Sequence, residues 1–231
     1  MATVFPDLYG TIVADAGVYA PQHDSRLLID ALAQSRVATG RRVLDLCTGS
    51  GVVAIAAARQ AAAGVIAFDI CPRAVRCARA NASAAEVDVE VRLGSLTHAL
   101  AHGPFDVVLC NPPYVPAGPR AHTELIAPNT GPPWAWNAGR DGRLMLDPLC
   151  ESSSELLVDG GTMLLVQSEV SGIERSLALL RSAGLMAEIS LRQRIPFGPV
   201  LSARAHWLQS TGRLRANCYD EQIVVIRADK R

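Results

Sequence analysis

The sequence predicts an α/β domain built on a mainly parallel sheet with helices on both faces. Three observations lead there. Strand-like and helix-like stretches alternate over most of the 231 residues. The length and a hydrophobic share of 49% supply one substantial core. The chemically distinctive segments all fall just after strands, where open parallel sheets bind ligands.

In chain order, Asp24 or Ser25 can cap a first helix running to Ser35, with Leu27, Leu28, Ala31 and Leu32 as its apolar face. Arg42 to Cys47 reads as a short buried strand. A glycine-rich turn leads into an Ala-rich helix from Val52 to about Ala62, and Gly64 breaks it. Val65 to Asp69 is a second strand, and Pro72 opens a helix to about Ser83. Val87 to Leu93 and Phe105 to Cys110 are the third and fourth strands. Leu144 to Val158 reads as a helix, with Pro148 early in it and Gly160-Gly161 beyond its end. Thr162 to Gln167, Ala187 to Arg194 and Gln222 to Arg227 complete seven strands, with a helix over Gly172 to Ala183. No repeat or low-complexity linker interrupts the chain, so residues 1–231 are expected to form one domain.

Composition narrows the function. Twenty-two basic and twenty-two acidic side chains give zero formal charge, without the broad basic field of a non-specific nucleic-acid binder. Arg192, Arg194, Arg204, Arg213 and Arg215 are the one local basic group. The six cysteines form no Cys-x-x-Cys pair and no zinc-spaced cluster with histidine, so no metal site is expected. They read as reduced small hydrophobes, which implies a reducing, cytoplasmic setting. The first ten residues lack a signal-peptide pattern, and no run of about 18 apolar residues suggests a membrane span.

The segment Val43-Leu44-Asp45-Leu46-Cys47-Thr48-Gly49-Ser50-Gly51 passes from strand to turn to helix. Gly49 and Gly51 allow close backbone approach to a ligand, and Asp69 ends the next strand where a carboxylate can hold a ribose diol. This is a nucleoside-cofactor signature. Gly49-x-Gly51-x-x-Ala54 nearly matches the dinucleotide fingerprint, so an NAD-binding oxidoreductase is a rival reading. Asp45 favours a cationic aminoacyl cofactor such as S-adenosylmethionine (SAM), because it would repel a pyrophosphate.

Asn111-Pro112-Pro113-Tyr114 follows the fourth strand. Two prolines cannot continue a sheet and fix an extended turn. That turn can aim the Asn111 side-chain oxygen and the Pro112 carbonyl at one substrate NH2 group, with Tyr114 stacked on a planar amide or base. A delocalised nitrogen is a weak nucleophile, so positioning in front of an electrophilic methyl is the main catalytic need.

On these residues the chain resembles the class I SAM-dependent methyltransferases of the HemK/PrmC type, and within them the short branch that includes eukaryotic and archaeal release-factor glutamine methyltransferases. Tyr19-Ala20-Pro21-Gln22-His23-Asp24-Ser25 resembles the segment where an Asp-Ser/Thr pair helps hold the methionyl end of SAM. Asp45 to Gly51 with Asp69 resembles the SAM site. Asn111 to Tyr114, with Trp134-x-Trp136 and Gly139-Arg140-Asp141-Gly142-Arg143, resembles the substrate loop. The resemblance implies a Rossmann-like sheet of seven strands with the last antiparallel. It implies SAM as cofactor, held by Tyr19, Pro21, Asp24, Ser25, Asp45, Cys47, Thr48, Gly49, Gly51, Asp69, Ile70, Ser95, Leu96 and Asn111. It also implies substrate contact from Asn111, Pro113, Tyr114, Trp134 and Trp136, with Asn111, Pro112 and Tyr114 catalytic.

Three departures stand out. Cys47 replaces a glycine usual in the cofactor loop, Ser95 stands where the family has an Asp reaching the adenine amine, and residues 197–216 look like extra material before the last strand. That material reads equally as a substrate-binding insertion or as a surface helix and loop. The N-terminal segment 1–40 is expected to be helical and to cap the cofactor site. The Pro-rich stretch Pro116 to Pro133 reads as a lid or binding loop, and Arg140 and Asp141 could pair to fix it.

Three functions follow: a methyltransferase acting on a protein glutamine amide, an adenine-amine methyltransferase on DNA or RNA, and a small-molecule methyltransferase or nucleoside-cofactor oxidoreductase. The short relatives imply a protein substrate and a small activating subunit, with nucleic acid as the alternative partner.

Overall fold

The structure, a computed structural model, describes residues 3–7, 10–118 and 132–231, with side chains from residue 12 onward. Residues 119–131 of the expected Pro-rich loop, His122 among them, lie outside the described residues.

The N-terminal segment is not the helical one expected from the sequence over residues 1–40. It opens with an antiparallel hairpin, β1 (Thr3–Asp7) and β2 (Gly10–Ala14), before helix α1 (His23–Ser35). The hairpin is pinned by a residue distant in sequence. The Asn81 side chain donates to the carbonyls of Val13 and Ser50, both at 2.8 Å, and accepts from Val13 N–H at 3.2 Å.

Then follow β3 (Arg42–Leu46), α2 (Val52–Arg59), β4 (Gly64–Asp69), α3 (Pro72–Ala84), β5 (Glu90–Leu93), α4 (Leu96–His102) and β6 (Phe105–Cys110). After the undescribed stretch come α5 (Leu146–Glu151), α6 (Ser153–Leu156), β7 (Leu157–Ser168), α7 (Ile173–Ser182), β8 (Leu185–Pro196), α8 (Pro199–Ser210) and β9 (Asp220–Lys230). The seven-stranded sheet has the order β5-β4-β3-β6-β7-β9-β8. β9 runs antiparallel between β7 and β8, and the strands from β5 to β7 are parallel. The expected Rossmann-like sheet with an antiparallel last strand is the one observed.

Strict alternation divides the core in two. Val43, Val107, Leu109, Leu164, Val166 and Val225 face α1, α2 and α3, while Leu44, Leu46, Val108, Met163, Leu165 and Val224 face α4, α5 and α7. Both faces are covered, so the central strands are apolar on both sides.

Several boundaries differ from the sequence expectation. The helix expected over Leu144 to Val158 is two short helices around Ser152, and β7 starts at Leu157. Its register against β6 jumps between Phe105 and Val107, and Gly160-Gly161 lie in that irregularity instead of at a helix stop. The third strand begins at Glu90 rather than Val87, and β8 and β9 extend beyond their expected ends. Helix α4 went unread because Ala99 is its one buried residue. Residues 199–210 form a helix that buries Val200, Leu201, Arg204 and Leu208.

The reverse of chain direction along the sheet falls between β3 and β6, so the segments after these strands face a common crevice. The segment that leads into α5 is anchored by Arg143, which is 4% exposed. Its guanidinium pairs with Asp147 at 2.6 Å and donates to the Ser171 and Gly172 carbonyls and the Ser176 hydroxyl at 2.6–3.0 Å. The pairing expected between Arg140 and Asp141 is replaced by this hub and by an Arg175–Asp141 contact of 3.5 Å. Removing one partner from a buried ionic network strands the others, so Arg143→Ala is expected to cost about 3 kcal/mol or more of unfolding free energy. Urea titration measures it, and a loss below about 1 kcal/mol would contradict the hub role.

Candidate active site

The turn after β3 is built on left-handed backbone. Cys47, Gly49 and Gly51 have φ of 63°, 56° and 84°. A Cβ on Gly51 would lie 3.0 Å from Ala78 Cβ and 3.1 Å from its Cα, so α3 packs against the bare backbone. Cys47 pays the steric cost that glycine avoids, of order 1–2 kcal/mol; the family's usual glycine at this place has its reason in that φ.

Two carboxylates brace the turn. Asp45, 1% exposed, accepts through Oδ2 from the Thr48 hydroxyl at 2.6 Å and from Ala54 N–H at 3.1 Å. Burial pushes its carboxyl up to about 7 even though both hydrogen bonds act the other way. Asp69 accepts from Gly49 N–H and Cys71 N–H, each at 2.9 Å, and burial raises its pKa as well. The Asp69 bond to Gly49 ties the end of β4 to the turn after β3.

Two cavities meet at this crevice. The larger, about 290 Å³, is lined by Tyr19, Pro21, Ser25, Asp45, Cys47, Thr48, Gly49, Asp69, Ile70, Ser95, Leu96, Asn111 and Trp134. The smaller, about 90 Å³, is lined by Tyr19, Asp24, Asn111, Pro112, Pro113, Tyr114, Trp136 and Glu221, with Pro199, Val200 and Leu201 of α8. Asn111, Pro113, Tyr19 and Ala135 line both. Among the described residues the larger cavity has two acids and no Lys or Arg in its lining. Such a lining suits a nucleoside that carries a cationic tail and opposes a pyrophosphate, which argues against NAD.

A hydrogen-bond chain fixes the shared wall. The Tyr19 and Tyr114 hydroxyls both donate to Asp24 Oδ2, at 3.2 and 3.1 Å. Asp24 Oδ1 accepts from Ser25 N–H at 2.6 Å and from the Ser25 hydroxyl at 3.3 Å. Ser25 Oγ accepts from Asn111 Nδ2 at 3.2 Å. With its NH2 committed to Ser25, the Asn111 amide presents Oδ1 as the acceptor. Burial and the Asp24 charge hold both tyrosine hydroxyls well above their usual range, so they stay donors.

Most of the sequence-derived site residues come together around these cavities. Of that set, Gly51 turns to α3 instead of lining the larger cavity, and Asp24 and Ser25 spend hydrogen bonds on Tyr114 and Asn111. Ser95 starts α4, and its N–H donates to His98 Nδ1 at 3.2 Å. Trp134 is 56% exposed at the mouth of the larger cavity. Trp136 is 4% exposed and packs with Val115, Val200, Leu201 and Leu208, with the Arg204 guanidinium 4.7 Å from its ring centre. Gly142 belongs to the site's frame, since a Cβ there would meet the Tyr114 carbonyl at 2.4 Å. Sequence reasoning missed Glu221; an acid at the head of an apolar strand was the available signal.

Asp45 has a pH consequence. Its folded-state carboxyl titrates near 7 instead of 3.8, so the folded protein holds a proton that the unfolded chain has already released. The stability this contributes is present below about pH 4 and lost as pH rises through about 7. Relative to wild type, Asp45→Asn should therefore gain melting temperature between about pH 4 and pH 8, on a scale of about 2–4 °C per kcal/mol. A difference in melting temperature that stays flat across that range would contradict the shift.

Residues 9–129 match the model of the methyltransferase small domain. The chain is 32% identical over 193 residues to methyltransferase HEMK2 of Mus musculus, covering 80% of this chain and 88% of the mouse protein. It is 36% identical over 182 residues to the release factor glutamine methyltransferase of Deinococcus radiodurans, covering 77% of this chain and 64% of that protein, so it spans under two thirds of the bacterial relative. The solved E. cuniculi Mtq2-Trm112 complex, which methylates the eRF1 termination factor, contains a chain that superimposes with a TM-score of 0.62 at 23% identity, covering 93% of this chain and 99% of that one. The chain belongs to the methyltransferase small domain family and is an enzyme that takes its methyl group from S-adenosylmethionine.

Proposed function

We propose that this enzyme methylates the side-chain amide nitrogen of a glutamine in a protein of the peptide release factor type. The observation that carries the reading is the position of Asn111, whose amide is oriented by Ser25 on the wall shared by the two cavities. When bound in the larger cavity, SAM supplies an electrophilic methyl on a sulfonium. Asp45, the turn and Asp69 would hold its charged tail and ribose, Ile70 and Leu96 its base.

The remaining work belongs to the chain. Asn111 Oδ1 and the Pro112 carbonyl accept the two N–H groups of the substrate amide. That draws electron density toward the nitrogen and aims its lone pair through the shared wall. Tyr114 and Tyr19, both tied to Asp24, keep the wall rigid, which is where positioning gains its catalytic force. The narrow smaller cavity favours a slender side-chain amide over a purine. Helix α8 contributes Pro199, Val200 and Leu201 to it, which supports residues 197–216 as a substrate-binding insertion.

The nucleic-acid reading loses ground. Arg204 is fully buried, and Arg194 pairs with Asp220 and Glu169, so the local basic group is smaller than the sequence suggests. The likeness to a complex with a small subunit supports an activating partner for this chain too. Six free cysteines suit a reducing cytoplasm, and no described helix is long and apolar enough to cross a membrane.

Labelled SAM, offered with a release factor and separately with an adenine-containing oligonucleotide, tests the reading. Each is run with and without a candidate activating subunit. Label in the release-factor glutamine is expected; label in the oligonucleotide alone would overturn it. Asn111→Ala should lower kcat by about tenfold or more while SAM affinity stays within about twofold, and Asp69→Ala should weaken SAM binding by about tenfold or more. The opposite pattern would exchange the roles assigned to the two residues.

A further inference from the structure

The smaller cavity holds an acid that the methyl-transfer geometry does not use. Glu221, on β9, lines the cavity, is 5% exposed, and its Oε2 is buried without a hydrogen-bond partner among the described residues. The Ser168 hydroxyl acts on this carboxyl, and Trp136 Nε1, a second buried group without a partner among the described residues, lines the same cavity. The hydroxyls of Tyr19 and Tyr114 are both given to Asp24, and no Lys or Arg is among the described residues lining this cavity. Arg194, next to the ladder partner of Glu221 on β8, pairs with Asp220 and Glu169. The backbone on either side is fixed: Glu221 pairs with Ile195 in the β8–β9 ladder, and Gln222 N–H donates to Glu169 at 2.8 Å.

A buried carboxylate oxygen without a donor destabilises the folded protein. Asp24 beside Tyr114 shows what satisfaction looks like here, with both oxygens accepting. A cavity that keeps an unsatisfied acceptor and opens beside Asn111 is shaped for a ligand that brings the missing donor.

We propose that Glu221 binds the methyl acceptor: its Oε2 accepts an N–H from the β9 side of the cavity while Asn111 and Pro112 hold the reacting nitrogen from the β6 side, so the enzyme selects acceptors with a second N–H donor near the methylated group. A main-chain amide of a glutamine-bearing peptide and an ammonium group both carry that chemistry. The inference rests on the methyl-acceptor reading of the smaller cavity, not on glutamine in particular. Burial, with the Asp24 and Glu169 charges added and the Ser168 hydroxyl opposing, holds the Glu221 carboxyl up at about 7.

The test compares wild type, Glu221→Gln and Glu221→Ala. In the ligand-free proteins at pH 8, Glu221→Gln should melt a few degrees higher, because it removes an uncompensated buried charge. In methyl transfer, Glu221→Ala should raise KM for a Gly-Gly-Gln peptide by about tenfold or more, and Glu221→Gln by less, with SAM affinity unchanged in both. A lower melting temperature for Glu221→Gln together with KM within twofold of wild type would make Glu221 a structural residue and overturn the proposal. An adenine oligonucleotide and a free amino acid bearing an aromatic amine serve as parallel acceptors. If wild type methylates one of these and not the peptide, the glutamine reading fails, and Glu221 is then judged by the KM change on that acceptor. A peptide whose glutamine main-chain N–H is replaced by an ester oxygen separates the two donor sources. A raised wild-type KM for the ester assigns the main chain. An unchanged one, with the Glu221→Ala effect intact, assigns an ammonium.

Discussion

The site depends on one hydrogen bond, from Asn111 Nδ2 to Ser25 Oγ at 3.2 Å. A carboxamide has two ends of nearly equal shape and opposite hydrogen-bond character. Whatever holds the NH2 decides where the oxygen points. Ser25 can hold it because Asp24 accepts from the Ser25 hydroxyl, and Asp24 is in turn fixed by two tyrosines from separate parts of the chain. The first helix, the turn after β6 and the segment before α1 therefore meet in one network. An acceptor aimed by such a network needs no reorganisation when a donor arrives, and this is how a weakly nucleophilic nitrogen can be held for attack.

The same crevice shows how folding and ligand chemistry share residues. Asp45 and Asp69 each accept hydrogen bonds that close the cofactor turn, and each also faces the cavity. Their burial works against ionisation, and a cationic ligand would restore what burial takes away. The protein keeps two acids at the cost of some stability in the empty state, as functional sites commonly do. The smaller cavity repeats this pattern with Asp24 satisfied internally and Glu221 left open.

Much of this was legible in the sequence where the signal is local. Gly49 and Asp69 follow consecutive strands whose order brings them together, and Asn111 follows a strand beside the switch of chain direction. Contacts across the fold were not legible. Of the two arginines in Gly139-Arg140-Asp141-Gly142-Arg143, the one that turns inward meets Ser171, Gly172 and Ser176 far along the chain, which no spacing reveals. Trp136 lines the smaller cavity, but its packing under α8 was not legible, because α8 has no strong apolar stripe to announce itself. The long helix expected before β7 fails for a related reason: apolar residues at Leu156 and Leu157 serve a helix end and a strand start alike. Glu221 gains its meaning from Asp24, nearly two hundred positions away in sequence and facing the same cavity.

The central claim is that one wall, carrying Asn111, separates a cofactor cavity from an acceptor cavity. A crystal structure with S-adenosylhomocysteine and a Gly-Gly-Gln peptide tests it most directly. The claim predicts the cofactor product between Asp45 and Asp69 with its sulfur toward Asn111, and the glutamine amide nitrogen within hydrogen-bond reach of Asn111 Oδ1 and the Pro112 carbonyl. A cofactor sulfur facing away from Asn111, or a glutamine bound outside the cavity of Tyr114 and Glu221, would contradict it.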